Sequence, residues 1–117
     1  MSVITLSLAA GQTVSAPVAI PMSRENWIGE MGISCLLNFP AGSAGTLTLQ
    51  VSNDPNASPS ATPSTARWNN HDVIAALTAN KNDSIVFPVA FARLTGTVSS
   101  GTVYLDIGVP DSSNPTV

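Results

Sequence analysis

Short runs of alternating apolar and polar residues, separated by turn-forming residues, constrain this chain more than any other feature. The pattern is clearest in the last quarter, over residues 91–98 and 102–109. Successive side chains of a β-strand point to opposite faces, so alternation predicts strands with one buried face. With similar runs elsewhere, about seven or eight strands are expected. The sequence therefore predicts an all-β fold, an antiparallel β-sandwich of jelly-roll-like type. The earlier runs span 3–8, 13–20, 33–39, 46–52 and 84–89.

Charged side chains make up only 9% of the 117 residues. Few Glu or Lys residues remain to solvate a helix, so we expect at most one short helix, near 70–78, with Asn70 as its N-cap. The length suits a single domain over 1–117. This domain is expected to have a flexible Pro- and Ser-rich loop at 53–66 and a polar tail at 110–117. The scarcity of charge fits either a surface covered in an assembly or a Ser/Thr/Asn surface that is polar without charge.

The last two runs are predicted to form a β-hairpin. The register that keeps apolar residues on one face sets Leu94 opposite Leu105 and Arg93 opposite Asp106. A three-residue loop ending at Gly101 has better turn chemistry, but it would mix the two faces. We therefore expect a cross-strand Arg93–Asp106 pair. The runs at 33–39 and 46–52 look like a second antiparallel pair.

Catalytic chemistry is not predicted. His71 is the single histidine, and its neighbour Asp72 would point away from it, so a turn or capping role is favoured. Cys35 falls at an inward position of a strand, where a buried and unreactive thiol is expected. One His and one Cys match no zinc spacing, and no phosphate-binding glycine motif is present. The sequence therefore predicts a protein that is not an enzyme and has no metal and no cofactor.

Charge and hydropathy also bear on partners. The net charge of −3 comes from scattered residues, which argues against nucleic-acid binding. No apolar run approaches about 18 residues, so no membrane span is expected. The first residues lack a basic start of the secretory type, which predicts synthesis in a cytoplasm.

The remaining candidates for binding are two tryptophans and a methionine in irregular segments, together with a tyrosine on the polar face of the last run. Aromatic side chains in loops can anchor a ligand or partner, and they can equally close the open ends of a sandwich. The candidate interface or ligand contacts are Met22, Trp27, Trp68 and Tyr104.

The stretch from Leu49 to Val109 resembles small structural proteins of tailed bacteriophages. The resemblance rests on an "SND" segment followed by a tryptophan, and later on an "RL" strand and a "GTV" strand. These correspond to residues 50–54, 67–68, 71–73, 87–89, 92–94 and 101–105.

The resemblance implies a function and a partner. Short β-sandwich decoration (cement) proteins, which staple capsid lattices, have a similar length and few catalytic residues. The chain is thus expected to be a virion protein and a homo-oligomer that stabilises the phage head by binding the major capsid protein. The alternative is a carbohydrate- or receptor-binding module of a tail or fibre, with Trp27, Trp68 and Tyr104 stacking on sugar rings.

Overall fold

The computed structural model describes residues 2–20, 33–59, 66–85 and 89–109. Every regular element in these ranges is a strand, apart from one 3₁₀ turn at Pro55–Ala57. The all-β prediction is therefore confirmed. The strands are β1 (Ser2–Ala9), β2 (Val18–Ala19), β3 (Ile33–Asn38), β4 (Ala44–Ser52), β5 (Asn69–Asn70), β6 (Lys81–Ile85), β7 (Phe91–Ser100) and β8 (Thr102–Val109).

The strands form two antiparallel sheets of four. Sheet A has the order β1-β8-β3-β6, and sheet B has the order β2-β7-β4-β5. Pairing is nested along the chain, since β1 pairs with β8, β2 with β7, β3 with β6, and β4 with β5. The strands β8 and β3, and likewise β7 and β4, then join these pairs into sheets. The two sheets make an antiparallel β-sandwich, as predicted.

The core lies between the sheets and follows the alternation in the sequence. Leu6, Leu8, Cys35 and Leu37 face inward from sheet A, and each is buried. The predicted inward residues of β4 are buried as well. Branched and aliphatic side chains thus meet face to face, as in other aligned sandwiches. The buried residues of sheet B include Leu47, Leu49, Val51, Ala92, Leu94 and Val98.

The predicted hairpin between the last two strands is wrong. Gly101 alone connects β7 to β8, at φ +68°, and the chain passes there from sheet B to sheet A. Arg93 and Asp106 therefore lie on different sheets and do not pair. Alternation determines which face of a strand is buried. It does not determine whether the next strand lies beside it in the same sheet or faces it across the core from the other sheet.

The same explanation applies to the expected pairing of 33–39 with 46–52. The first run is β3 in sheet A and the second is β4 in sheet B, so they face each other across the core. The run at 13–20 shortens to β2 and a single bridge between Val14 and Thr95. Its proline at position 17 indicated an edge strand or a bulge, and β2 is an edge strand of sheet B.

No helix forms at 70–78. The backbone of this segment instead bonds to the edge of β4. The N–H of His71 donates to the carbonyl of Leu49, and the N–H of Leu49 donates to the carbonyl of Ile74. Leu77 and Leu47 exchange two further bonds of the same kind. Ladder bonds to β4 satisfy the peptide groups that a helix would have used, and Ile74 becomes part of the core.

The loop at 53–66 is anchored over its first part. Its described residues include the 3₁₀ turn, with Asp54 as N-cap, and Ala57 is fully buried. Residues 60–65 of the loop and the tail at 110–117 lie outside the described residues. No helix in the described ranges is long and apolar enough to cross a membrane.

Candidate functional site

The four candidate contact residues do not form one site. Trp68 and Tyr104 lie on opposite sheets, since Trp68 precedes β5 of sheet B and Tyr104 lies on β8 of sheet A. Met22 and Trp27 lie outside the described residues. A single platform that contains both Trp68 and Tyr104 is therefore excluded, and two separate surfaces remain.

Trp68 belongs to a chain of polar contacts on the outer face of sheet B. The guanidinium carbon of Arg93 lies 4.3 Å from the centroid of the Trp68 ring. Arg93 Nε donates to Gln50 Oε1 at 2.8 Å, and Gln50 Nε2 donates to Asn70 Oδ1 at 2.9 Å. Partial burial in this cluster lowers the pKa of Arg93 from its ordinary value. Arg93 therefore has a structural role, in a different network from the predicted one.

An open pocket of about 590 Å³ lies beside Trp68. Most of its lining side chains are polar, and they come from the end of β4, the loop after it and the segment leading into β5. Pockets that bind small polar ligands combine an aromatic surface with a few fixed polar groups of this kind. The lining residues are Ser52, Asn53, Asp54, Arg67, Trp68 and Asn69.

Asp54 fixes the shape of this pocket. Its Oδ1 accepts the N–H of Asn56 at 3.0 Å, and its Oδ2 accepts the N–H of Arg67 at 2.9 Å. These two backbone bonds lower the pKa of Asp54, and the Arg67 side chain adds to the effect through an Nε contact at 3.3 Å. Ser52 Oγ also connects the end of β4 to this segment, by donating to the Arg67 carbonyl at 2.6 Å. The side chain of Arg67 is 87% exposed. Its outer guanidinium nitrogens are thus available to a ligand.

Trp68 carries an unsatisfied donor. Its Nε1 is buried and has no hydrogen-bond acceptor among the described residues. A buried N–H without a partner costs stability, because the bond to water is lost and not replaced. The pocket therefore has a rigid polar frame, whereas the indole N–H of Trp68 is buried and stays without an acceptor among the described residues.

The second surface is the outer face of sheet A. Three apolar or aromatic side chains are exposed on it: Val3 at 60%, Leu36 at 44% and Tyr104 at 38%. Asp106 is the one acidic residue that the described strands place on this face, and its Oδ1 accepts a bond of 2.7 Å from Thr5 Oγ1. The other outward side chains, on β1, β3, β6 and β8, are small or neutral, and include Ser7, Ser34, Asn38, Asn82, Ser84 and Thr102.

His71 stabilises a turn. The ring is 2% exposed, and its Nδ1 accepts the backbone N–H groups of Val73 and Ile74 at 3.2 and 3.0 Å. Its Nε2 lies 2.9 Å from the carbonyl oxygen of Ser84. This arrangement requires the tautomer with its proton on Nε2, donating to Ser84. The turn or capping role that the sequence favoured is confirmed. The prediction that Asp72 points away is wrong, because its Oδ1 lies 3.6 Å from His71 Nδ1, although the Asp72 side chain is 84% exposed.

Cys35 is fully buried between the sheets. Burial raises the pKa of its thiol to about 12, and the nearby carboxylate of Asp83 adds to the rise. The burial of this thiol predicted from the sequence is confirmed, and its low reactivity stays a prediction. Within the described ranges, no group of three or more His, Cys, Asp or Glu residues is placed to hold a metal ion.

Sequence reasoning missed the roles of Asp54 and Arg67. The order Asp-Pro-Asn at 54–56 is a turn signal in which the Asp side chain caps the following backbone. That signal predicts the bond to Asn56 but not the one to Arg67. Comparisons with family models, curated proteins and solved structures found no match to this chain.

Proposed function

We propose that the protein is a virion structural protein that decorates a phage capsid. It would bind the major capsid protein through the outer face of sheet A. The observation that carries the proposal is the chemistry of that face, where Val3, Leu36 and Tyr104 are exposed and the carboxylate of Asp106 already has a partner in Thr5.

Such a face can be covered by another protein at low electrostatic cost. Removing a charged group from water is expensive unless it is paired, and the described side chains here offer only one acid. Interface centres are depleted in charge and enriched in aromatic residues, which fits Tyr104 between neutral neighbours. Asn38 and Ser34 on β3 could supply directional hydrogen bonds without adding charge.

The strand pairing supports the same class of protein. In a jelly roll, a long antiparallel ribbon is folded at its middle and rolled into two sheets. The nested pairs β1–β8, β2–β7, β3–β6 and β4–β5 fit that winding. Jelly rolls are frequent among viral capsid proteins and lectins. A jelly-roll winding is therefore part of the proposal and is compatible with both functions considered.

Binding to capsid shells tests the proposal. If the proposal holds, the same genome encodes a major capsid protein; shells are assembled from that protein, and co-sedimentation of this chain with the shells is measured. Leu36→Glu should reduce binding at least tenfold, because it places an unpaired charge in the interface. The matched control is Thr97→Glu, an exposed position on β7 of the other sheet. Absence of binding by the folded wild type, or equal loss in both variants, would contradict the proposal.

A second candidate function is favoured by the pocket beside Trp68. Carbohydrate sites use an aromatic ring together with amide, carboxylate and guanidinium groups, and this pocket has all four. Arg93 covers one face of the Trp68 ring, so a sugar would have to bind at the other face or at the edge. Glycan-array binding that is lost in Trp68→Ala and retained in Tyr104→Ala would support this function. Binding lost in both variants, or in neither, would exclude the pocket as its site.

A further inference from the structure

The four edge strands of the sandwich differ in how well they are protected against pairing with another chain. In sheet B, β2 and β5 are two residues long each, and a proline at position 17 directly precedes β2. In sheet A, the edge strand β6 carries Lys81 and Asp83. Short strands, prolines and charges are the usual means by which proteins prevent edge-to-edge pairing. The remaining edge strand, β1, is eight residues long and has none of them.

The open side of β1 is defined by the ladder that it forms with β8. The N–H of Ala10 donates to the carbonyl of Gly101, the residue directly opposite in this register. In an antiparallel ladder the residues of a strand alternate between bonding the partner and facing away from it. Hence the peptide groups of Val3, Thr5 and Ser7 point to the open edge. The described residues provide no strand on that side.

The end of this row is closed. The next N–H in the series, that of Ala9, is not available to a partner strand because it already donates to Gln12 Oε1 at 2.8 Å. A pairing strand can therefore extend along residues 3–7 but not beyond Ala9. This length is typical of β-strands in globular proteins.

We propose that β1 pairs antiparallel with β1 of a second copy of this chain, about a two-fold axis at Thr5. The two A sheets then join into one continuous sheet of eight strands. Thr5 lies opposite Thr5 of the second copy, and Val3 lies opposite Ser7 of the second copy. Val3, Thr5 and Ser7 in both copies exchange six backbone hydrogen bonds, because all their peptide groups face the axis.

The side chains of β1 fit a copy of themselves. A two-fold axis places identical surfaces together, so a charged residue near it would meet its own like charge. The strand has no charged residue, and a Thr–Thr pair is a favourable cross-strand contact. On the inner face, Ile4 packs against the core but is only partly buried, and the pairing brings Leu6 of the second copy beside it. The match in length, chemistry and burial identifies a second copy as the occupant.

The inference is independent of the function proposed above and can be tested without capsids. Sedimentation velocity and light scattering over a concentration series up to about 1 mM should show a shift from a 12.0 kDa species to one of twice that mass. Amide exchange should slow at Val3, Thr5 and Ser7 as the dimer forms. These amides have no ladder bond in the monomer.

Two variants at the axis test the geometry. Thr5→Pro removes an N–H that faces the edge and not β8, and Thr5→Lys places two like charges together. Each should weaken dimerisation at least tenfold, with far-UV circular dichroism confirming the fold. The control Asn38→Lys adds the same charge to the same face on an inner strand, and should leave dimerisation unchanged.

The result that would overturn the inference is a monomer at every concentration with fast exchange at Val3, Thr5 and Ser7. A dimer that persists in both Thr5 variants would also overturn it. So would a dimer that Asn38→Lys disrupts as strongly, because the contact would then be made by the face and not by the edge.

Discussion

The contact between Arg93 and Trp68 gives the sharpest test of the sandwich topology. Removing the guanidinium in Arg93→Met keeps most of the aliphatic stem and deletes two interactions. The cation–π contact at 4.3 Å is worth about 0.5–1 kcal/mol at a partly exposed site. The hydrogen bond to Gln50 is worth about 0.5–1.5 kcal/mol. Arg93→Met should therefore lower the free energy of unfolding by about 1–2.5 kcal/mol.

Double-mutant cycles separate this network from the hairpin that the sequence favoured. Urea unfolding is followed by far-UV circular dichroism, since Trp68 itself is changed in one cycle. The cycle of Arg93→Met with Trp68→Leu should give a coupling energy of about 0.5–1 kcal/mol. The cycle with Asp106→Asn should give zero within about 0.3–0.5 kcal/mol, because the two side chains point outward from opposite sheets about 10 Å apart. Coupling of Arg93 to Asp106, or none to Trp68, would refute the topology.

Three further predictions follow from local geometry. Gly96→Ala should destabilise the protein by about 3 kcal/mol or more in urea unfolding, since a Cβ there would overlap the carbonyl oxygen of Thr46 at φ +142°. The control is Gly11→Ala, at φ +88° with no atom near the added Cβ, which should lower the free energy of unfolding by only about 1–2 kcal/mol. Equal destabilisation by the two substitutions would contradict the close approach of β7 to β4 at Gly96. Asp54 has a pKa below its ordinary value of 3.8, so its stabilisation is present above that value and is lost as the pH falls through the folded pKa. When melting temperature is measured against pH, it should thus fall less steeply below about pH 4 in Asp54→Asn than in the wild type. The same fall in both proteins would show that the carboxylate is not bonded as described. The thiol of Cys35, with a pKa of about 12, should resist Ellman's reagent at pH 8 until urea unfolds the chain, whereas immediate labelling would mean that the core is open.

The sequence predicted the faces of the strands and not their neighbours. Alternation placed Leu6, Leu8 and Cys35 inside, because burial of one face depends only on the residues of that strand. Pairing depends on which strand lies beside it, and in this fold successive strands mostly cross to the other sheet. A single glycine at position 101 can make that crossing, and nothing in its neighbours distinguishes it from a hairpin loop.

The candidate site was only partly predictable for a related reason. Trp68 was identified as an aromatic residue in an irregular segment, and the structure has an open pocket beside it. The pocket is shaped by Asp54, which bonds a residue thirteen positions away, and the Trp68 ring is covered on one face by Arg93 from another strand. Such contacts follow from the order β7-β4-β5 in sheet B, so they could not be inferred before that order was known.

The outer faces of the two sheets differ in the side-chain groups that are available to contact a partner. On sheet B, Arg93, Gln50 and Asn70 are joined by hydrogen bonds and Arg93 covers one face of the Trp68 ring, so a partner would have to break internal contacts to use these groups. On sheet A, the one acid that the described strands place on the outer face is bonded to a threonine, and Tyr104 projects from a neutral surface that ends at an edge with no neighbour among these strands. A large partner therefore gains more by covering sheet A, whereas a small polar ligand gains more in the pocket of sheet B. Capsid binding and self-association at β1 would then use one continuous surface, since joining two A sheets doubles the face without covering it.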